Sequence, residues 1–525
     1  MFFKRCYSQR KMNEEVDVQS DLEVETKVKE KENVDLEDAL DLAGHGKYQW
    51  FHSSLMLFTL LAAVLEMGGI AFVMPAATCD LQIPDNLKGI LTSIPNIGVI
   101  LTATLWGRAA DTLGRKPVLI ISSAMSGLLG LAAAFMPTLL GFALLKLAGS
   151  LFLSSPSSLS FAYACEIMPM KYRDITVLIS NGLVMVLSTV IPAFAWLILP
   201  YSWRLEIGTL VFRPWRLLTV VYVMPLIIAA VFMLGMQESP KFLATRGKWQ
   251  ESLAVLRRVY AFNTGLAPEE YQVKSLKSSS DTVSEGSSDS NGELAPGPRK
   301  LTAMAMLKPP HVKWLALTSF LMFGIMSVLN GLFLFAPDIL NRALDGSEDE
   351  VGTICVLLNQ NGNSTDTGAC MDDISHETFQ IMVITTLIFG LIVMAASVMP
   401  LSKKVVLVTM FTIVGAACLT SVLTTNIVLV GVTMSSLQLS SLGMGPVIAY
   451  AVSLFPTSLR GTAVGAVLMF GRLGSAVGAN VAGLLLAAAC TATFYGFTAL
   501  LLLCASLSFL LPGDNSRDED SSSQL

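Results

Sequence analysis

The chain has 525 residues, of which 53% are hydrophobic and 14% charged, and its formal net charge at pH 7 is −5. A water-soluble globular protein carries about 25% charged residues, so this composition excludes a protein that exposes its whole surface to water. Most of the charge lies in tails and loops rather than on one face, and it therefore indicates no nucleic-acid partner.

Apolar segments long enough to cross a bilayer separate the charged regions. They are predicted at 52–75, 89–107, 117–136, 138–162, 174–200 and 217–236, then at 313–337, 378–399, 404–423, 426–454, 462–488 and 491–511. The first is too long for a cleaved signal peptide. The sequence therefore predicts an all-α membrane protein with twelve transmembrane helices in two six-helix bundles, residues 51–236 and 313–511.

An internal repeat supports the division into two pseudo-symmetric halves. Tyr163–Arg173 reads YACEIMPMKYR and Tyr450–Arg460 reads YAVSLFPTSLR, with Tyr, Ala, Pro and Arg in the same register. Each copy ends one apolar segment and begins the next. Duplicated halves of this kind are typical of transporters.

The remaining segments are predicted to lie outside the membrane. Residues 1–50 have mixed charge and few aromatic residues, which predicts a disordered cytoplasmic tail. Residues 237–312 are predicted to be a cytoplasmic linker that contains a flexible Ser- and Gly-rich tether. It starts with a short helix, for which Ser239 suits the N-cap and Pro240 the first turn. Residues 512–525 form a second cytoplasmic tail.

The distribution of basic residues favours cytoplasmic N- and C-termini. This topology places residues 338–377 in an extracytoplasmic loop, where Asn363 begins the only glycosylation sequon of the chain. Cys355 and Cys370 lie in the same loop and either form a disulfide or remain two free thiols. Cys490 is expected to be a buried free thiol. No cysteine spacing indicates a metal site.

The loop between the second and third apolar segments carries the pattern G-x-x-x-D-x-x-G-R-K. The residues that match it are Gly107, Asp111, Gly114, Arg115 and Lys116. The pattern resembles the signature of the major facilitator superfamily, and the resemblance implies a conformational latch and the major facilitator fold. The alternative is that these charged residues only set the orientation of the helices in the membrane. The equivalent stretch of the second half lacks both the Asp and the glycine.

Two further stretches resemble motifs of sugar-porter-like and organic-ion-transporter-like members of that superfamily. They are Glu166–Arg173 and Gln237–Leu243. The resemblance implies charge networks at the cytoplasmic ends of the bundles, which hold one state closed and break as the cavity opens. The members of these charge networks would be Glu166, Arg173, Glu238 and Arg460. Ser453 stands where the family commonly has Glu, so the second half of the network departs from the pattern.

The chain also resembles the synaptic vesicle glycoprotein 2 family within the superfamily. The resemblance is carried by Ala193–Pro200, Gly208–Arg216, Gln237–Leu243 and Ala336–Ile339. That family has a long luminal domain between spans seven and eight, whereas residues 338–377 stand in its place here. A partner of that luminal domain is therefore not expected for this chain.

Three ionisable residues are predicted inside apolar segments, where they usually face a cavity or a partner. Glu66 is a candidate for proton uptake or for contact with a cationic substrate; a structural carboxyl is the alternative. Lys146 would pair with Glu66, meet an anionic group, or extend toward an interface. Arg472, between Gly471 and Gly474, would reach the cavity or the cytoplasmic network.

Two uncharged residues complete the candidate cavity. Asn330 is followed by Gly331 in the seventh segment, which favours a broken or kinked helix whose amide contacts a substrate. Trp196 is a candidate cavity-lining residue, although an aromatic side chain in a span more often packs or anchors.

These patterns predict a secondary transporter of a small organic solute that works by alternating access, with proton coupling through Glu66 left open. No residue set resembles a hydrolase triad, a metal site or a nucleotide-binding loop, so neither an enzyme nor a cofactor is expected. The alternative function is a vesicle membrane protein with the transporter fold and a docking or regulatory role. A monomer in the plasma membrane or in a synaptic-type vesicle is expected.

Overall fold

The computed structural model describes residues 31–201, 203–207, 210–277, 309, 311–344, 353, 355–356, 374–399, 402–455 and 457–512. Asn363 and Cys370 lie outside these residues, and so does the side chain of Arg460. Within the described residues, twelve helices are long and apolar enough to cross a membrane. The predicted number of spans is therefore confirmed.

The first bundle contains spans 1 to 6. In chain order they are Lys47–Leu81, Asp85–Leu113, Arg115–Ala134, Leu139–Ile167, the pair Met170–Leu187 and Val190–Ile198, and Pro214–Met233. A short antiparallel hairpin precedes span 6, in which β1 (Leu205–Ile207) pairs with β2 (Leu210–Phe212).

The second bundle contains spans 7 to 12. Span 7 consists of His311–Leu329, a 3-10 turn at Leu332–Phe335 and Ala336–Leu344. Spans 8 and 9 are His376–Val398 and Lys403–Leu423, and span 10 consists of Ile427–Ser436, a 3-10 turn at Leu437–Gly443 and Met444–Leu454. Spans 11 and 12 lie within Thr457–Ser508 and meet at the non-helical residue Ala489.

The break in span 7 confirms the expectation from Asn330 and Gly331. The helix ends at Leu329, and Gly331 has backbone angles of φ −100° and ψ −84°, which are not helical. A break at membrane depth is tolerated when neighbouring helices satisfy the freed backbone groups.

Consecutive spans cross the membrane in opposite directions. The loop between spans 1 and 2 therefore lies on one side, which we call the Asp80 side. The loop between spans 2 and 3 lies on the other, which we call the Asp111 side. Gly114 forms that second loop with φ +110°, a conformation that residues with a Cβ rarely adopt.

Large apolar side chains on the spans are exposed in the isolated chain. Leu101, Leu140 and Val231 are 61%, 70% and 60% exposed. Contiguous exposed apolar surface marks an interaction site, and along helices of this length the partner is lipid.

Small residues let the helices approach closely inside each bundle. A Cβ on Gly130 of span 3 would lie 2.5 Å from Val223 of span 6. In the second bundle, a Cβ on Gly474 of span 11 would lie 2.9 Å from the Cα of Phe323 in span 7. Glycine at these positions therefore sets the distance between the packed helices.

A second compact unit contains the described residues 31–52, 166–173 and 237–277. Its helices are Leu36–Leu42, Pro240–Thr245 and Trp249–Thr264, and the last ends at Gly265, whose φ is +78°. Isolated bridges join Lys31 to Val273 and Val34 to Leu276.

The predicted disorder of residues 1–50 is wrong for residues 31–50. Ala39 and Leu40 are almost fully buried, and Ala39 accepts a hydrogen bond from the hydroxyl of Tyr271. Composition predicts disorder when a segment has too few apolar residues to form its own core. Here the partners come from the linker, more than two hundred residues away in sequence.

The short helix predicted after Glu238 is confirmed. Ser239 is its N-cap, and its side-chain oxygen accepts a hydrogen bond from the backbone N–H of Phe242 at 3.2 Å. Leu253, Leu256 and Val259 of the following helix are at most 8% exposed. The linker therefore begins as a packed structure.

Candidate functional site

The main polar feature inside the first bundle is an ion pair between spans 1 and 4. Lys146 Nζ lies 2.6 Å from Glu66 Oε1, and the two side chains are 5% and 8% exposed. The structure therefore joins two of the predicted site residues. Lys146 does not extend to an interface, because its charged group ends at Glu66.

The second oxygen atom of Glu66 has no hydrogen-bond partner among the described residues, although it is buried. Span 3 closes the pair from one side, since a Cβ on Gly130 would lie 3.6 Å from Glu66 Oε1. An unsatisfied buried carboxylate oxygen is costly.

Arg472 is partly buried in span 11 and reaches span 1. Its Nη1 atom lies 3.9 Å from Met67 Sδ. Arg472 thus lies between the two bundles and contacts Met67, the residue that follows Glu66 in span 1. Its alternative assignment to the charge network near Arg173 is not seen among the described residues.

Asn330 lies at the break of span 7 and contacts span 11. Its Nδ2 atom is 3.4 Å from Ser475 Oγ and 3.3 Å from Met326 Sδ. Both contacts lie within the second bundle. Ser475, the partner of Asn330 on span 11, is about one helical turn from Arg472.

Trp196 is not brought together with the other candidate cavity residues. Its indole N–H donates to His376 Nδ1 at 3.2 Å, and its side chain is 37% exposed. His376 begins span 8, so this contact joins spans 5 and 8 at their Asp80-side ends. Trp196 therefore anchors span 5 to span 8.

The bundles are closely packed on the Asp80 side, where spans 2 and 11 cross. A Cβ on Gly89 would lie 3.0 Å from the carbonyl oxygen of Ala479 and 3.2 Å from Gly483 Cα. One turn deeper, Asn480 Nδ2 donates to Ser93 Oγ at 3.0 Å. Small residues such as these glycines let the helices approach this closely.

The G-x-x-x-D-x-x-G-R-K residues form a compact turn between spans 2 and 3. Arg115 Nη1 lies 3.1 Å from Asp111 Oδ1 and 2.8 Å from the carbonyl oxygen of Ala110. Lys116 Nζ donates to the carbonyl oxygen of Leu234 at the end of span 6, at 2.9 Å. The Asp111 side chain is 72% exposed. Gly107 has open space where a Cβ would lie.

A charge network in the second compact unit includes a residue that sequence reasoning missed. Glu37 lies between Arg173, whose Nη1 is 3.2 Å from Oε1, and Lys241, whose Nζ is 2.6 Å from the same oxygen. Burial alone would raise the pKa of Glu37, but the bonds from Arg173 and Lys241 outweigh it and lower the pKa below 4.5.

Two predicted members of this network lie nearby in the same unit. Glu238 Oε1 accepts a hydrogen bond from the backbone N–H of Ser239 at 2.8 Å. Glu166 is partly buried in the 166–173 segment. Glu37 was missed because composition assigned its segment to a disordered tail. An acidic residue directly before a short helix, such as Asp35 at its N-cap, was the available signal.

A second cluster missed in the sequence surrounds Asp80 at the end of span 1. Arg213 Nε lies 3.2 Å from Asp80 Oδ1, and Arg216 Nη2 lies 3.1 Å from Oδ2. Arg216 is 2% exposed and also donates to the carbonyl oxygens of Ala134 and Met136. Arg216 precedes the apolar segment predicted at 217–236, but it lies inside the helix Pro214–Met233.

The predicted pairing of Cys355 with Cys370 is wrong. Cys355 is bonded to Cys490, at a Cα–Cα distance of 5.5 Å, so Cys490 is not the free thiol expected. The prediction relied on proximity within one loop. The tertiary structure instead brings Cys355 to the junction of spans 11 and 12 on the Asp80 side.

Among the described residues, no group of three or more His, Cys, Asp or Glu side chains could hold a metal ion. The polar side chains described above interact through ion pairs and hydrogen bonds.

Comparison with known proteins agrees with this geometry. The family model described as Major Facilitator Superfamily matches residues 56–402. Synaptic vesicle glycoprotein 2C of Rattus norvegicus is 30% identical over 222 residues, which are 42% of this chain and 30% of that relative. Synaptic vesicle glycoprotein 2B of the same species is 29% identical over 229 residues, or 43% and 34%. The matched part spans only about a third of these curated relatives.

Solved structures with the same fold include two transporters. The xylose transporter XylE from E. coli, in a partially occluded inward-open conformation, has a TM-score of 0.62 and 15% identity, with 88% of this chain and 99% of that chain covered. The human organic anion transporter MFSD10 has a TM-score of 0.55 and 14% identity, with 88% and 100% covered. Both likenesses concern the fold.

Proposed function

Because this chain belongs to the Major Facilitator Superfamily, we propose that it is a secondary active transporter of a small organic solute that works by alternating access. The observation that carries the proposal is the close crossing of the two bundles on the Asp80 side. Spans 2 and 11 cross through Gly89 and Gly483 on the Asp80 side. Rocking about a central site would separate these ends and close the opposite ones.

The Asp111 side is proposed to be cytoplasmic. Arg115, Lys116 and Lys404 end or begin spans on that side, as the excess of basic residues in cytoplasmic loops requires. Cys355–Cys490 lies on the Asp80 side, where an extracytoplasmic compartment is oxidising enough to keep it formed. Asn363 would be glycosylated in the loop that follows span 7.

Asp111 and its loop are proposed to act as a latch. In the described conformation Asp111 is exposed and pairs with Arg115 in its own turn. An exposed carboxylate at this position is accessible to hydrogen-bond donors of the second bundle when the Asp111 side closes. Arg173, Glu166, Glu238 and Arg460 are proposed to exchange partners in the same transition.

Glu66 is proposed to couple transport to protons. It pairs with Lys146 through Oε1 only, and its buried Oε2 is available to a proton. Protonation would neutralise the carboxylate and weaken its attraction for Lys146. This change would alter the packing between spans 1 and 4, which is the type of two-state element that a coupling site needs.

Uptake into proteoliposomes tests the proposal. The full-length protein is expected to accumulate at least one member of a panel of sugars, organic cations and organic anions, faster with an inward proton gradient. Glu66→Gln should abolish the dependence on the gradient, and Asp111→Asn should slow uptake by about tenfold or more. Glu251→Gln is the control, since that carboxylate is 58% exposed and pairs with Lys248 on the surface of the other compact unit.

The same measurement decides the alternative function. Folded protein that moves no compound of the panel would favour a docking or regulatory role in a membrane. The similarity to synaptic vesicle glycoproteins favours an intracellular vesicle over the plasma membrane. Location of the tagged protein in fractionated cells tests that part independently.

A further inference from the structure

Within the part of the chain that the structure describes, Arg472 differs from the other buried charges of the spans in having no charged partner. Lys146 pairs with Glu66, and Arg216 pairs with Asp80. Among the described residues, no carboxylate lies within ion-pair distance of Arg472, and its only hydrogen-bond contact is the weak acceptor Met67 Sδ at 3.9 Å.

Arg472 lies near the middle of span 11, at the interface between the two bundles. It lies about 15 Å along span 11 from Thr462, which is roughly half the thickness of the hydrocarbon core. Solute sites of such transporters lie near this depth, at the interface between the repeats. Arg472 extends from span 11 of the second bundle to span 1 of the first, so it lies at that interface.

The carboxylate of Glu66 does not serve as a hidden partner. Glu66 and Met67 are consecutive in a helix and face directions about 100° apart. Glu66 faces Lys146 and span 3, whereas Met67 faces Arg472. The pair inside the first bundle therefore leaves the positive charge of Arg472 uncompensated.

The surroundings of Arg472 are apolar and adaptable. Met67 touches its guanidinium, and Met322 and Met326 of span 7 pack beside the neighbouring Gly471. Methionine side chains adapt to ligands of different shape. A guanidinium presents a planar fork of donors that matches a carboxylate.

We propose that Arg472 binds the carboxylate of an organic anion, so that the solute of this transporter is an apolar molecule with one carboxylate group. The inference rests on the proposed function, because it names the substrate class of the same central site. The bound carboxylate supplies the negative charge that the described side chains do not provide beside Arg472.

Binding is measured on the purified full-length protein with three molecules of similar shape: benzoate, neutral benzamide and cationic benzylamine. Acetate, hexanoate and indoleacetate extend the carboxylate set. We expect thermal stabilisation by one or more carboxylates and none by benzamide or benzylamine. Arg472→Gln should raise the apparent Kd of the carboxylate by about tenfold or more. Arg472→Lys, which keeps the charge without the fork, should have an intermediate Kd.

Arg258→Gln is the matched control, since Arg258 is an exposed arginine that binds Gln237 in the other compact unit. If Arg472→Gln does not fold, Arg472→Lys decides alone. An unchanged carboxylate Kd in that variant overturns the inference. Stabilisation by benzamide or benzylamine as strong as by benzoate overturns it too. So does a lack of stabilisation by every carboxylate, or an equal effect of potassium chloride, which would indicate an inorganic anion site.

Uptake of the same molecules separates the two proposals. Arg472-dependent carboxylate binding without uptake of any solute would contradict the transport function and retain the anion site. Uptake of a sugar or a cation that is unaffected in Arg472→Lys would retain transport and overturn the anion site.

Discussion

Arg216 Nη2 lies 3.1 Å from Asp80 Oδ2, and the indole N–H of Trp215 donates to the same carboxylate oxygen at 3.1 Å. The Arg216 guanidinium also stacks over the Trp215 ring at 4.3 Å. Asp80 therefore connects the end of span 1 to the start of span 6 and neutralises an arginine that is almost fully buried.

Asp80→Asn is expected to destabilise the first bundle. The substitution leaves Arg216 buried without its counter-ion, a change that costs about 3–5 kcal/mol for buried pairs. The thermal unfolding temperature of the detergent-purified protein should fall clearly. Glu206→Gln, on the exposed β1 strand, should leave it unchanged. Equal unfolding temperatures for both variants would contradict a structural role for Asp80.

Glu66 and Lys146 are expected to show strong coupling in a double-mutant cycle. Glu66→Gln alone leaves the Lys146 ammonium buried and unpaired, which should cost about 3–5 kcal/mol. Adding Lys146→Met removes that charge and should recover most of the loss. Thermal unfolding of the four proteins measures the coupling. Additive losses would show that the two side chains do not act as a pair.

Glu37 is expected to make the second compact unit sensitive to acid. Its pKa is below 4.5 in the folded protein, so its stabilising contribution is complete above pH 4.5. The contribution is lost as the pH falls through the lowered folded pKa. Hydrogen exchange of residues 36–43, corrected for the intrinsic rate, should therefore accelerate below pH 4.5. Glu37→Gln should exchange rapidly at pH 7 already, whereas Glu251→Gln should behave like the wild type.

Gly89→Leu is expected to hold the Asp80 side open. A Cβ at this position already meets the backbone of Ala479 and Gly483 at 3.0–3.2 Å, so a larger side chain prevents the close crossing. Thr92→Cys, which is 3% exposed in the closed arrangement, reports the opening. Its labelling by an impermeant maleimide from the Asp80 side should increase about tenfold or more. Gly496→Leu is the control, because nothing lies within 4 Å of a Cβ there.

The Cys355–Cys490 bond is expected to stabilise the Asp80 side. Loss of a disulfide typically costs about 2–4 kcal/mol. Cys490→Ser should lower the unfolding temperature, whereas Cys165→Ser, at a cysteine outside this bond, should not. Peptide mapping without reduction should recover the two cysteines in one linked fragment. A fragment linking Cys355 to Cys370 would instead support the pairing predicted from the sequence.

The twelve spans, the repeat and the break after Asn330 could be predicted from the sequence because each depends on local chemistry. A bilayer selects apolar segments by length, and Gly331 weakens a helix wherever it stands. The Glu66–Lys146 pair was foreseen as one option, since a charge inside a span needs a partner and few are available.

Contacts between side chains that lie far apart in the chain could not be predicted from local sequence in this way. The choice of Cys490 over Cys370, of Asp80 for Arg216 and of Glu37 for Arg173 depends on which loop or helix end comes close in space. Composition also misjudged residues 31–50, because their apolar partners lie in the linker after span 6. The sequence by itself determined how many helices cross the membrane and which charges they contain. Only the tertiary structure decided which of those charges are neutralised, because neutralisation depends on distances of a few ångströms between segments far apart in the chain.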